Sequence, residues 1–374
     1  MTEIDFSLLD VPRDHPPEDA DIYLRTAIAW HFGQDTGSPF WLRMAKDLDF
    51  DPLTEVRTYA DLRRFPNLVD ELRSVPVEDL IPRGYGTPLP IPRIFESGGT
   101  TGAPKRTAQL PDWLDQVARW QVEDFSAGGF VPGEGLLCLM PSGPHGVGHF
   151  DREVAERLGS IFHPIDLDPR WVKKISARNA TSEVAAYVDH VVDHARFILE
   201  TQSVANLHAT PPLLEAIARD DDLVDLVNQK IRYVLLSGAH VDVDTLELFR
   251  SIFENAAISV VFGSTMILSQ AATRVVSSAR SAGSASPGDS FVFDPRSPYV
   301  VFWVVDRDTG EQVEYGERGQ VVMNHVSKGM FIPNNLERDI AIRTPGPSGQ
   351  VGDSVSEVAP VAVFSGEPVI EGVY

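Results

Sequence analysis

Short apolar runs of strand length alternate with helix-patterned segments through the middle of this chain, and that alternation limits the folds open to it. The runs are Gly135-Leu136-Leu137-Cys138-Leu139-Met140, Val204–His208, Ile231–Leu236 and Ala257–Phe262. Between them, Glu183–Thr201, Pro212–Arg219 and Val243–Phe253 carry apolar residues at helical spacing. In the first of these, Val184, Val188, Val191, Val192, Ala195 and Leu199 share one face. Unbroken apolar runs suit strands buried on both faces, and strands separated by helices build βαβ units on a parallel sheet. The expected fold class is α/β, with ligands at the carboxyl ends of the strands.

The flanks differ from this middle. Asp19–His31, Pro39–Leu48 and Ala60–Leu72 have helix-like spacing, and Pro66 divides the last into the end of one helix and the start of another. Asp112–Phe125 reads as a further helix. From Tyr299 the texture changes: Tyr299–Asp306, Gln320–Asn324 and Ile340–Arg343 are separated by turns such as Asp308-Thr309-Gly310 and Tyr315-Gly316. That is the pattern of a mostly antiparallel β region. Ser277–Ser290 is rich in Ser, Ala and Gly and reads as a loop.

Charge and cysteine content remove several functional classes. A net charge of −22 over 374 residues disfavours sequence-independent binding to nucleic acid. Cys138 is the only cysteine, so an intrachain disulfide and a Cys-rich zinc site are excluded. Met1-Thr2-Glu3-Ile4-Asp5 has no basic or apolar targeting character, and no apolar run reaches the ~18 residues of a membrane span. A soluble, cytoplasmic protein with neither nucleic-acid nor membrane partners is expected.

Chemistry concentrates in a few places. Ser97-Gly98-Gly99-Thr100-Thr101-Gly102-Ala103-Pro104-Lys105 suits a loop around phosphate oxygens. Its glycines let backbone N–H groups face one side, Ser97, Thr100 and Thr101 add hydroxyl donors, and Lys105 adds a point charge. Pro104 before the lysine departs from the Walker A pattern. Ile91-Pro92-Arg93-Ile94-Phe95 reads as a strand leading in. Leu235-Leu236-Ser237-Gly238-Ala239-His240 ends a strand in small residues, where a flat ring can approach the backbone. Phe262-Gly263-Ser264-Thr265-Met266 ends the next with an aromatic, a glycine and two hydroxyls. His145 and His149 stand at i, i+4 in Met140–Phe150, but Pro144 and the glycines argue against a metal-binding helix there.

Together these segments resemble the adenylate-forming superfamily of acyl-CoA synthetases, peptide-synthetase adenylation domains and luciferases. The run Glu96–Thr107 and the order of elements carry the resemblance, and the Pro66 region is similar to that of phenylacetate-CoA ligases and bacterial acyl-protein synthetases. The resemblance implies a helical N-terminal region over 1–90, an α/β nucleotide- and acyl-binding core over 91–298, and a β-rich subdomain over 299–374. It implies that ATP is bound and a carboxylate joined to its α-phosphate. Ser97, Gly98, Gly99, Thr100, Thr101, Gly102 and Lys105 would hold the phosphates. Ser237, Gly238, Ala239, Phe262, Gly263 and Ser264 would border the adenine, with Ala239 and Phe262 flanking it. Thr265 would contact the α-phosphate. Asp339, in Glu337-Arg338-Asp339-Ile340-Ala341-Ile342-Arg343, would take the ribose hydroxyls, with Arg343 as a ribose or phosphate partner. His145 or His149 would donate to the incoming carboxylate.

Two departures accompany the resemblance. Met266 stands where the family has a magnesium-binding glutamate, so Mg²⁺ would be held by phosphates and water, by another acid such as Asp242 or Asp244, or more weakly. The chain ends at Tyr374, where relatives continue into a small mobile domain carrying a catalytic lysine; Lys173 or Lys174 is a candidate substitute. Two truncated groups are similar: acyl-protein synthetases of bioluminescence, with a comparable length and ending, and atypical adenylating proteins of phenazine-antibiotic pathways, the nearer of the two, which implies an aromatic acid and a downstream acceptor or partner enzyme. Two alternatives stand beside it: a non-catalytic protein that binds nucleotide or aryl acid, and an acyl-protein synthetase with Cys138 as its thiol.

Overall fold

Capping residues start the N-terminal helices. Asp19 accepts a hydrogen bond from the Ile22 amide at the head of α1 (Ala20–Phe32), and Ser38 does the same for Trp41 in α2 (Pro39–Met44). After the short α3 (Pro52–Glu55), the expected helix pair around Pro66 is absent. The chain instead makes 3-10 turns at Tyr59–Arg64 and Glu71–Arg73. Phe65, preceding the proline, is extended, which ends the first turn before Pro66. The structure is a computed structural model and describes residues 4–97, 104–276, 290–361, 363–364 and 367–368.

The βαβ region follows the sequence pattern closely. A hairpin of β1 (Arg93–Glu96) and β2 (Arg106–Gln109) leads into α4 (Pro111–Gly128). Then come β3 (Gly135–Leu139), α5 (Gly146–Arg157), β4 (Phe162–Pro164), α6 (Pro169–Ser176), α7 (Thr181–Thr201), β5 (Val204–Ala209), α8 (Pro211–Ala218), α9 (Asp221–Lys230), β6 (Tyr233–Leu236), α10 (Val243–Ile252) and β7 (Ala257–Val260). The strands form a five-stranded parallel sheet in the order β4-β3-β5-β6-β7. Every residue of β3, β5 and β6 is buried, which is why the apolar runs were unbroken.

The segment Met140–Phe150 needs correction, because α5 begins inside it at Gly146. Pro144 precedes the helix, where its ring does no harm, and His145 is the N-cap residue. Gly148 lets the first turn lie against the chain leaving β3. A β-carbon there would sit 2.6 Å from the Pro141 carbonyl oxygen and 2.7 Å from Ser142 Cα.

Beyond β7, the short pair β8 (Gly263–Ser264) and β9 (Ser269–Gln270) forms a turn. A six-stranded antiparallel sheet follows, ordered β10-β11-β15-β14-β13-β12. Its strands are β10 (Ala272–Val276), β11 (Ser290–Asp294), β12 (Val300–Val305), β13 (Arg318–Val326), β14 (Phe331–Thr344) and β15 (Ser354–Pro360). The sheet therefore begins before Tyr299, where the sequence texture changes. Residues 277–289 of the Ser/Ala/Gly-rich stretch lie outside the described residues. One apolar core joins the N-terminal helices to both sheets. Side-chain donors add to it: Tyr23 to the Val326 carbonyl, Trp30 to Lys328, His31 to Ser327 and Trp41 to Phe331. No helix among the described residues is long and apolar enough to cross a membrane.

Candidate functional site

The hairpin brings the two ends of the glycine-rich segment together. Ser97 N–H donates to the Lys105 carbonyl at 2.9 Å, and Lys105 N–H donates to Ser97 Oγ at 3.0 Å. Gly98, Gly99, Thr100, Thr101 and Gly102 lie outside the described residues. Lys105 Nζ is 3.4 Å from Asp70. Glu96 anchors the hairpin through Arg106 on β2 and Arg170 on α6.

A cavity of about 570 Å³ opens at the carboxyl ends of β3, β5, β6 and β7, facing β14 and β15. That volume is ordinary for a small-molecule site. It brings together Ser97, Lys105, His145, Ser237, Gly238, Ala239, Phe262, Gly263, Ser264, Thr265 and Asp339, which are scattered through the sequence. Gly238 has φ 79°, a left-handed conformation suited to glycine, and so turns the chain sharply after Ser237.

Arg343 and His149 are not in the lining. Arg343 is held by Asp353 at 2.8 Å and the Val313 carbonyl at 2.6 Å, and its guanidinium lies over the Tyr315 ring. His149 packs against Phe95 and Phe150 instead of facing the cavity. One helical turn separates it from His145, and burial, with Arg93 and Arg152 nearby, pushes its pKa down to about 4.

The turn after Phe262 is held in a strained form. Leu268 has φ 37°, costly for a residue with a β-carbon. Trp113 Nε1–H donates to the Leu268 carbonyl at 3.1 Å, and His325 Nδ1–H donates to the Ile267 carbonyl at 2.6 Å. Met266 is 5% exposed and packs with Val69, Leu72, Met330 and Ile332, although it also borders the cavity. Of the acids considered from sequence, Asp242 is occupied as the N-cap of α10, accepting from Thr245 N–H at 2.7 Å. Asp244 does not line the cavity. The acid beside this turn is Glu337 on β14, whose Oε1 accepts from Ser264 Oγ at 2.8 Å and Asn335 Nδ2 at 2.7 Å. A carboxylate beside a hydroxyl is a donor set that fits a hard cation needing few protein ligands, with phosphates completing the shell. Among the described residues, no cluster of three or more His, Cys, Asp or Glu side chains is arranged to hold a metal.

Cations line the opposite wall. Lys173 on α6 is only 8% exposed, and burial together with Arg338 and Arg170 lowers its pKa to about 8. Lys174 points to solvent. His145 lies beside Lys173; burial, then the lysine's charge, lowers its pKa too. Met140, Gly146, Val147 and Phe150 supply an apolar surface next to these groups.

Sequence reasoning missed Glu337, and it missed a buried network of Asp151, His208 and Ser237. The Asp151 carboxylate and the Ser237 hydroxyl both lie within hydrogen-bond distance of the His208 ring. The available signal was a pair of polar residues, Asn206 and His208, at i, i+2 in an otherwise apolar strand, since buried polar groups need partners.

No protein-family model and no curated protein matches this sequence. Solved structures do resemble its fold. A crystal structure of 2-hydroxyisobutyryl-CoA ligase with 2-HIB-AMP and CoA aligns with TM-score 0.60 and 16% identity, over 91% of this chain and 67% of that one. The same ligase in an open conformation with these ligands also gives TM-score 0.60 and 16% identity, over 93% and 70%. ATP-bound MatB from Rhodopseudomonas palustris gives 0.43 and 16%, over 70% and 47%. The alignments with the ligase show that this chain has the adenylate-forming fold.

Proposed function

We propose that this chain joins a carboxylic acid to ATP as an acyl-adenylate, releasing pyrophosphate. The observation that carries the reading is the shared cavity. Lys105, the Ser237–Ala239 turn, the Phe262–Thr265 turn and Asp339 converge there, in a fold that holds an acyl-adenylate in 2-hydroxyisobutyryl-CoA ligase. The acid's oxygen attacks the α-phosphorus and pyrophosphate leaves in line, so the protein's task is to align the reactants and stabilise charge. Lys105 and the segment beside it take the β- and γ-phosphates, and Thr265 takes the α-phosphate. Ala239 and Phe262 border the base, and Asp339 accepts from the ribose hydroxyls. Lys173 and His145 receive the incoming carboxylate. Glu337, with Ser264, is the group that would hold Mg²⁺, which when bound neutralises phosphate charge.

The apolar surface of Met140, Val147 and Phe150 beside Gly146 supports a flat aromatic acid, such as a phenazine carboxylate destined for a downstream acceptor in secondary metabolism. A cytoplasmic setting suits an ATP-consuming reaction of this kind. Carboxylate-dependent exchange of labelled pyrophosphate into ATP, across a panel of aryl and aliphatic acids, tests the reading. Exchange with none of them, despite ligand-induced thermal stabilisation, would favour a non-catalytic binding protein. The packing of Met266 into an apolar cluster favours that second reading. Cys138 does not serve an acyl-protein route well, because its thiol is fully buried and does not line the cavity.

A further inference from the structure

The buried imidazole of His208 links the protein interior to the cavity. His208 on β5 and Asp151 on α5 are 2% and 1% exposed. The ring's Nδ1–H donates to the Asp151 carboxylate, 2.8 and 2.9 Å from its two oxygens. That contact fixes the tautomer and leaves Nε2 as an acceptor, and Ser237 Oγ–H donates to it at 2.7 Å. The Cys138 thiol donates to Asp151 at 3.0 Å, so the carboxylate is held from a second side. All three members of the series border the cavity, and Ser237 is the partly exposed one. It stands at the carboxyl end of β6, immediately before the left-handed Gly238.

We propose that Ser237 is a nucleophile for acyl transfer, with His208 as its general base and Asp151 as a positioning residue. The arrangement is that of an activated serine, in which base and orienting acid lie within hydrogen-bond reach in series. Its substrate class is an activated carboxyl group, either an ester or the acyl-adenylate of the reaction proposed above. Ser237 Oγ forms a bond to the acyl carbon while its proton passes to His208 Nε2. With an ester, the acyl carbon–oxygen bond breaks and the alkoxide leaves as an alcohol, taking the proton from Nε2. With the adenylate, the bond between the acyl carbon and the phosphate oxygen breaks, and AMP leaves with the electron pair. In the adenylate branch the proton on Nε2 is released to solvent. Water, an alcohol or an amine, deprotonated by His208, then attacks the ester carbon, and Ser237 departs and regains a proton. The adenylate branch rests on the adenylation reading; the nucleophilicity of Ser237 does not.

The test uses the full chain and a fluorophosphonate, without ATP, followed by intact-protein mass spectrometry and peptide mapping. One phosphonyl adduct on Ser237 is expected. It is lost in Ser237→Ala and forms about 100-fold more slowly in His208→Gln. Asp151→Asn slows labelling as well, and Asp151→Glu, which keeps a carboxylate to orient the ring, restores part of the rate. A purely structural network would not produce these effects. A wild-type chain left unmodified where a serine esterase is saturated overturns the proposal, as does an adduct that persists in Ser237→Ala. Pyrophosphate exchange on the same preparations separates the two readings. Labelling without exchange keeps the nucleophile and removes the adenylation, and exchange without labelling does the reverse.

Discussion

The Ser264 hydroxyl donates to Glu337 Oε1 at 2.8 Å although 73 positions separate the two residues. The contact ties the turn after β7 to the middle of β14 and puts a carboxylate next to a position where the sequence offers only methionine. That carboxylate comes from a different strand, and the proposed function gives it the metal-holding role.

If Glu337 holds the cation, Glu337→Gln should weaken the effect of Mg²⁺ on ATP binding by roughly tenfold while leaving metal-free ATP binding almost unchanged. Calorimetric titrations with and without Mg²⁺ check this. Equal enhancement by Mg²⁺ in both proteins would remove Glu337 from the metal site.

Met266→Glu should not create the missing ligand. The new carboxylate would enter the cluster of Val69, Leu72, Met330 and Ile332. Burying it there costs about 2–4 kcal/mol, read as a lower melting temperature. An unchanged melting temperature with a reduced Mg²⁺ requirement would mean that the side chain faces the cavity.

Lys173, with its pKa lowered to about 8 by burial and neighbouring arginines, is charged at neutral pH and loses its proton above that value. The kcat/KM for exchange should therefore fall as pH rises through about 8. Lys173→Arg should abolish the decline, and Lys173→Met should lower the rate at pH 7 by roughly 10- to 100-fold. Identical profiles for wild type and Lys173→Arg would refute the assignment.

Stability should fall on mild acidification. Burial pushes His31 down to about 4 and His325 to about 3, from an ordinary 6.5. Because the folded values are depressed, the unfolded chain takes up these protons first as pH falls. Their contribution is complete above the ordinary value and is lost as pH drops toward the folded values. Each pH unit in that window costs up to about 1.4 kcal/mol per histidine. Urea midpoints at neutral pH and at about pH 5 should differ accordingly, and coincident midpoints would contradict the burial of these rings.

The parallel strands were legible because a strand covered on both faces leaves an unbroken apolar run, as in β3 and β6. The start of α5 was not, because Pro144, Gly146 and Gly148 signal a loop until the close approach of Pro141 gives Gly148 its reason. The turns around Pro66 were overread because apolar spacing near three to four residues fits a 3-10 turn as well as an α-helix. Residues at strand ends could be found one by one, since small residues and hydroxyls stand out there. Their partners could not: the contacts of Ser237 with His208 and of Ser264 with Glu337 depend on which strands lie side by side, and spacing along the chain carries no trace of it.

Trp30 and His31 reach across to main-chain oxygens in the stretch that joins β13 to β14, and Trp41 to the one at the start of β14. The first ninety or so residues thus act as a cover for the antiparallel sheet and are not a removable appendage. A shortened protein starting at the hairpin would expose bare carbonyls and a wide greasy surface, so expression trials seeking a smaller fragment should trim elsewhere.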